Sequence, residues 1–206
     1  MEKTKSRAER SDGIKSRELI LNAAARLATV EGLDGISIGR LADHIGMSKS
    51  GLYAHFGSKE ELQLATIDKA QEIFNAEVVE PSMTEDPIAM MEALGRNFLS
   101  HLEREVFPGG CFFAYTSAEL GPRPGPIHRK VADITGQWTV LFVQLLQAAQ
   151  AAGTIRGDED LAQLAFELDS YLILGNFGYV MEKTPEPLER AGRAFFERLN
   201  RAKTQS

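Results

Sequence analysis

The sequence predicts an all-α chain: an N-terminal three-helix unit containing a helix-turn-helix, and a larger helical unit behind it. Three observations carry this. Apolar residues recur at offsets of three and four in almost every segment, and no stretch alternates with period two. Glycine and proline punctuate the chain at helix-length intervals, as in "GLDG", "GPRPGP" and "GTIRGD". Cap residues stand where the punctuation ends, at Ser37, Ser48 and Ser58.

The elements follow in order. Ile20, Ala24 and Leu27 share one face of a first helix, which stops near "VEGLDG". Ser37 caps a short helix in which Ile38, Leu41, Ala42 and Ile45 fall at offsets 0, 3, 4 and 7. Gly46 ends it, because glycine takes the left-handed C′ conformation without steric cost. Ser48 caps a third helix reaching Phe56, with Leu52 and Phe56 inward at i, i+4, and Gly57 ends that one. Ser58-Lys59-Glu60-Glu61 is a capping box that opens a long helix to about residue 80. Pro81 and Pro87 bracket a break, and residues 88–104 make one helix. "PGGCFFAYTSAEL" is an apolar stretch opened by Gly and Pro. Further helices run from about Ile127 to Ala152 and from Asp158 or Asp160 to about Glu182, and Pro185 and Pro187 open a last helix ending near residue 202. The first dozen residues and the last few are expected to be irregular.

Composition narrows the class. Apolar residues at 43% of 206 can build a sizeable core. The single cysteine, Cys111, rules out an intramolecular disulfide and reads as an inert small hydrophobe. The polar start "MEKTKSRAERSDGIKSRE" has no secretory apolar region, and the longest apolar run, "YLILGNFGYVM", is about half the ~20 residues of a membrane span. A soluble, cytoplasmic protein is expected. Net charge is −6, but it is uneven. Residues 1–59 carry ten Lys+Arg against seven Asp+Glu, and the remainder thirteen against twenty-two. That is a locally basic surface on an acidic body.

Residues 37–56 therefore read as a helix-turn-helix, with "GMS" as the turn. In such a unit the second helix enters the DNA major groove and its N-terminal residues reach base edges. With Leu52 and Phe56 turned inward, Lys49, Ser50, Tyr53 and His55 face outward. Tyr53 and His55 can donate to phosphate oxygens, which positions the helix without specifying sequence. Lys59, at the start of the next helix, is a second phosphate anchor. Lys3, Lys5, Arg7 and Arg10 form a basic arm able to add contacts.

The stretch "ILNAAARLATVEGLDGISIGRLADHIGMSKSGLYAHFGSKEELQLATID" resembles the DNA-binding domain of the TetR (tetracycline-repressor) family of bacterial transcriptional regulators, over about residues 16–76. The resemblance implies DNA contacts at Ser48, Lys49, Ser50, Gly51, Tyr53 and His55, and phosphate contacts at Ser37 and Lys59. It also implies a C-terminal dimerisation and ligand-binding domain over 77–206, a homodimer on a palindromic double-stranded operator, and repression relieved by a small inducer. The protein would work in the bacterial cytoplasm, on the nucleoid when DNA-bound. Three positions depart from the family pattern: Ala54 stands where relatives carry an aromatic or His, Gly51 has no side chain to read a base, and Gly39 sits inside a helix at about 1 kcal/mol.

Two segments support a dimer independently. Leu161, Leu164, Ala165, Leu168, Leu172 and Gly175 mark one face of the penultimate helix, and Ala162, Phe166, Ile173, Phe177 and Val180 another. A helix apolar on two sides needs two partners. The last helix repeats the pattern with Leu188, Ala191, Phe195 and Leu199, flanked by Gly192 and Phe196. The expected interface is Leu161, Leu168, Leu172, Phe177, Leu188, Phe195, Phe196 and Leu199. Phe98, Cys111, Phe112, Tyr115, Trp138, Phe142 and Phe166 are the candidates for a pocket holding a small, partly apolar inducer. No catalytic residue, metal or cofactor is expected. The four histidines, His44, His55, His101 and His128, lack metal-ligand spacing, and no phosphate-binding glycine loop occurs. A helical adaptor for proteins alone leaves the Ser/Lys/Tyr/His surface unexplained.

Overall fold

The computed structural model describes residues 2–204, with side chains at residue 13 and from residue 15 onward. Helix α1 (Glu2–Glu31) is longer than expected, because its backbone is already helical from Glu2. The opening residues are rich in Glu, Lys, Arg and Ala, all good helix formers, and contain no proline. The side chains of Lys3, Lys5, Arg7 and Arg10 lie outside the described residues. Ile20, Leu21, Ala24, Ala25 and Ala28 form the buried stripe of α1.

Helix α2 (Ile38–Ile45) begins where Ser37 Oγ accepts the Arg40 N–H at 3.2 Å. It ends at Gly46, left-handed at φ 69° and ψ 26°, whose N–H bonds Ala42 O. Helix α3 (Lys49–Tyr53) is five residues long, not the nine the sequence suggests. Ala54 closes it, and the His55 N–H turns back to Leu52 O at 3.0 Å. The chain must open to the extended Ser58 cap (φ −150°) only four residues later, so the helix cannot continue to Phe56. Phe56 is buried all the same, with Leu52.

Helix α4 (Lys59–Phe74) has its predicted cap, Ser58 Oγ accepting the Glu61 N–H at 3.1 Å. The Glu61 carboxylate returns to the Gly57 N–H at 2.7 Å rather than to that of Ser58. The helix then widens into a π turn over Asn75–Val79 and tightens into a 3₁₀ turn over Glu80–Ser82, where Pro81 stops it. Helix α5 (Pro87–Glu103) is capped by Asp86, and α6 (Phe112–Leu120) and α7 (Pro126–Ala151) follow. Helix α8 (Leu161–Glu182) starts at Asp160, which settles the choice between the two aspartates. Helix α9 (Glu186–Ala202) closes the fold.

Helices α8 and α9 run antiparallel at close range. A methyl group added at Gly175 would lie 2.5 Å from Ala191 Cβ, and one at Gly178 would lie 2.8 Å from Pro187 Cβ. At the other end Arg198 bridges Glu159 and Glu167. One continuous apolar core runs from α1 to α9.

This packing corrects the expected interface. Leu168, Leu172, Phe195 and Leu199 are fully buried inside the chain, and Leu188 nearly so. They form the intrachain core, so they cannot meet a second subunit. Leu161 and Phe196 are half-buried, and only Phe177 of the eight is exposed. The free apolar face of α8 is Phe166, Leu174, Phe177 and Met181, exposed by 67%, 72%, 41% and 82%. The two stripes of the sequence exist, but the stripe richer in leucine is the one used internally.

Among the described residues no helix is long and apolar enough to cross a membrane, and no group of three or more His, Cys, Asp or Glu could hold a metal ion.

Candidate nucleic-acid interface and internal cavity

The three-helix head holds α3 from behind. Leu52 is wholly buried and Phe56 almost so, each contributing roughly 1.5–3 kcal/mol. The Arg17 guanidinium lies over the Phe56 ring, 5.1 Å from its centre. Ser48, Lys49, Ser50 and Tyr53 are exposed and His55 is half-exposed. Ser48 Oγ accepts the Gly51 N–H at 3.1 Å and lies 3.3 Å from Ser50 Oγ. Gly51 serves that cap, since a Cβ there would lie 3.0 Å from the same oxygen. A Cβ at residue 39 would lie 3.4 Å from the Lys49 side-chain stem, an ordinary contact, so nothing steric requires glycine there. One departure from the family pattern, Gly51, thus has a local steric reason.

Ser37 is exposed and spends its oxygen as an acceptor for the α2 cap, so its hydroxyl proton is left to donate. The Lys59 ammonium donates to Asp34 O at 2.7 Å, which ties α4 to the α1–α2 loop and leaves two of its three N–H groups. Arg40 escaped sequence reading. It is exposed on the first turn of α2 beside Ser37 and pairs with Glu31 at 3.0 Å. The one signal available was its place three residues after a helix cap.

The head is clamped to the body through α6. The Glu119 carboxylate accepts the Leu33 N–H at 2.7 Å and the Asp34 N–H at 2.9 Å. Arg123 pairs with Asp34 at 2.7 Å, and its guanidinium beside Asp34 holds that carboxyl below its usual range. Gly32, at φ 84°, admits Glu119, because a Cβ there would meet Oε1 at 2.8 Å. On the far side the Gly109 N–H donates to Thr29 Oγ1 at 3.1 Å, and Arg26 reaches Val106 O.

A cavity of about 490 Å³ lies in the body, walled by α4, the π turn, α5, α6, α7 and α8. Of the expected pocket residues, Phe98, Cys111 and Trp138 line it. The other four do not. Phe112 and Phe142 are fully buried in the core, Tyr115 is half-buried off the cavity, and Phe166 stands on the outer face of α8. Helix rotation explains this: α6 turns Phe113, Ala114 and Ser117 to the cavity and so carries its neighbours Phe112 and Tyr115 away. The walls that sequence reading missed include Phe74, Asn75, Val79, Phe113 and Asp169. Asp169 left a signal, as a lone carboxylate in the apolar run "LDSYLILGNF". Its Oδ1 accepts the Trp138 indole N–H at 2.9 Å, and burial raises its pKa. Burial likewise pushes the Cys111 thiol up to about 11, which leaves it protonated and unreactive.

The comparisons with known proteins agree with this geometry. The profile described as "Bacterial regulatory proteins, tetR family" matches residues 20–66, and "Tetracyclin repressor-like, C-terminal domain" matches residues 87–195. The HTH-type transcriptional regulator LmrA of Bacillus subtilis (strain 168) is 30% identical over 138 residues, which are 64% of this chain and 71% of that protein. A TetR transcriptional regulator from Chloroflexus aurantiacus J-10-FL superposes with a TM-score of 0.83 at 26% identity, covering 95% of this chain and 100% of that one. AibR, solved in complex with isovaleryl coenzyme A and operator DNA, superposes with a TM-score of 0.69 at 19% identity over 90% of this chain and 96% of its own. With two matched profiles in order, and a helix-turn-helix head on an all-helical body, this chain belongs to the TetR family of DNA-binding bacterial transcriptional regulators.

Proposed function

We propose that the chain works as a homodimeric, ligand-responsive repressor. Residues 16–76 form the DNA-reading unit and residues 77–206 the dimerisation and effector unit. Two α3 helices and their flanking residues hold the half-sites of a palindromic operator through Ser48, Lys49, Ser50, Gly51, Tyr53 and His55, with Ser37 and Lys59 on phosphate. A small, partly apolar molecule in the cavity releases the DNA. The carrying observation is that α3 turns Leu52 inward, with Phe56 buried just after it, and leaves Lys49, Ser50 and Tyr53 exposed.

The effector role is supported by α6. One side of that helix walls the cavity at Phe113, Ala114 and Ser117, and two residues further on Glu119 grips the head. A ligand that binds one setting of α6 better than another shifts the head by that difference in affinity. A neighbour of the same fold, AibR, was crystallised with both isovaleryl coenzyme A and operator DNA. On this reading the protein acts in the cytoplasm, on the nucleoid while DNA is held, and carries out no catalysis.

Mobility shifts on a bound genomic fragment, across a salt series, test the interface. Lys49→Ala is expected to weaken binding. Lys59→Ala is expected to weaken it on every sequence alike and to lower the salt slope by about 1. Wild-type behaviour from both variants would remove α3 and the α4 N-terminus from the interface.

A further inference from the structure

We propose that the cavity takes an organic cation: a compact apolar body carrying one ammonium or similar positive group. This rests on the reading of the cavity as the effector site and names the chemistry it selects.

Among the described residues Asp169 is the one charged side chain in the cavity wall, whose other polar members are the neutral Gln71, Asn75, Ser117, Thr135, Gln137 and Thr139. No Lys, Arg or His among the described residues pairs with Asp169 within 4.0 Å. Its Oδ1 is engaged by the Trp138 indole, and no hydrogen bond from a described residue reaches Oδ2. A half-buried carboxylate without a counter-ion favours a cation placed beside it. Burial pushes its pKa upward, the direction expected when the counter-charge is missing.

The remaining wall suits a cation. Phe74, Phe98, Phe113, Trp138 and Phe177 contribute aromatic rings. Trp138 meets Phe74 edge-on at 5.3 Å and lies 6.2 Å from Phe98. The indole N–H bond to Asp169 fixes the ring edge beside the carboxylate, so an aromatic ring and the negative charge stand together in one wall. A positive group there gains a charge pair in a low-dielectric site and the attraction of ring faces.

The chain has a single tryptophan, and it lines the cavity, so its fluorescence reports occupancy. The test titrates the full-length protein with benzyltrimethylammonium and with neopentylbenzene, which replaces the charged nitrogen by carbon at the same shape. The cation is expected to perturb Trp138 at a concentration at least about tenfold lower than the neutral isostere. Asp169→Asn is expected to weaken the cation about tenfold and leave the neutral compound unchanged. Equal or tighter binding of the neutral isostere to the wild type overturns the proposal without recourse to the variant. So does an unchanged preference in Asp169→Asn, or no fluorescence change with either compound. DNA release, followed separately by anisotropy, tells the two readings apart. A cation that binds through Asp169 without releasing DNA sustains the ligand class and sinks the effector role. A neutral compound that binds preferentially and releases DNA does the reverse.

Discussion

Single residues decide much of this chain's behaviour, and His101 shows how. It is 1% exposed, with the Phe74 and Phe107 rings at 5.9 and 5.4 Å, and neither ring nitrogen has a hydrogen-bond partner among the described residues. Burial holds its pKa down at about 4, with the Glu77 carboxylate pulling up and Arg104 pushing down. An unfolded histidine titrates near 6.5. Between these values the unfolded chain binds a proton that the folded chain refuses, so stability is lost as pH falls from about 6.5 towards 4. The full shift corresponds to about 3 kcal/mol. Urea unfolding of wild type and His101→Leu at pH 7 and pH 4.5 isolates this contribution, because carboxylate effects are common to both proteins. The wild type is expected to lose roughly 2–3 kcal/mol more than the variant over that interval. Equal losses would show that His101 is free to protonate in the fold.

At this scale the sequence was easiest to read where the cause is local. Ser37, Ser48, Ser58 and Gly46 act as predicted because a cap depends on its own four or five residues. Gly39 and Gly51 looked like defects from sequence. The reason for Gly51, the Ser48 hydroxyl, appears only once side chains have positions, and Gly39 has no steric reason in the fold.

At the scale of the element, α6 does the most. It joins the cavity wall to the head through two charge-assisted hydrogen bonds that Glu119 accepts from the Leu33 and Asp34 amides. Glu119→Ala leaves the Leu33 and Asp34 amides without that partner. Hydrogen exchange at these two amides is expected to quicken while protection in the α8–α9 pair stays as it was. Unchanged protection at Leu33 and Asp34 would mean that the clamp is not closed in solution. Helix existence and order were legible throughout, since apolar period and punctuation are strong over a dozen residues or more. Helix rotation was not. Choosing Phe113 rather than Phe112 as a cavity wall needs the phase of α6, which tertiary packing sets. The π turn after Phe74 has no signature of its own, and it helps bring Asn75 and Val79 to the cavity.

At the scale of the whole molecule the question is which apolar face meets a second copy. The sequence showed that α8 has two such faces, but it could not show which one the chain itself covers. The leucine-rich face packs inside, so the apolar face left for a second copy is Phe166, Leu174, Phe177 and Met181. Leu174→Glu combined with Met181→Glu places two charges on that face while touching none of the buried core. Sedimentation at micromolar concentration is expected to give a dimer for the wild type and a monomer for the double variant, with helical content unchanged by circular dichroism. A double variant that stays dimeric would move the interface elsewhere.

Dimerisation matters because α3 is only five residues long and one copy touches few base pairs, whereas a two-fold pair reaches half-sites about one helical turn apart. The most direct test of that claim is selection of fragmented genomic DNA by the full-length protein, followed by sequencing of what is retained. The account predicts enrichment of an inverted repeat, lost when the paired Leu174 and Met181 substitutions break the dimer. Retention of no particular sequence, or of isolated half-sites held equally well by the monomeric variant, would contradict it.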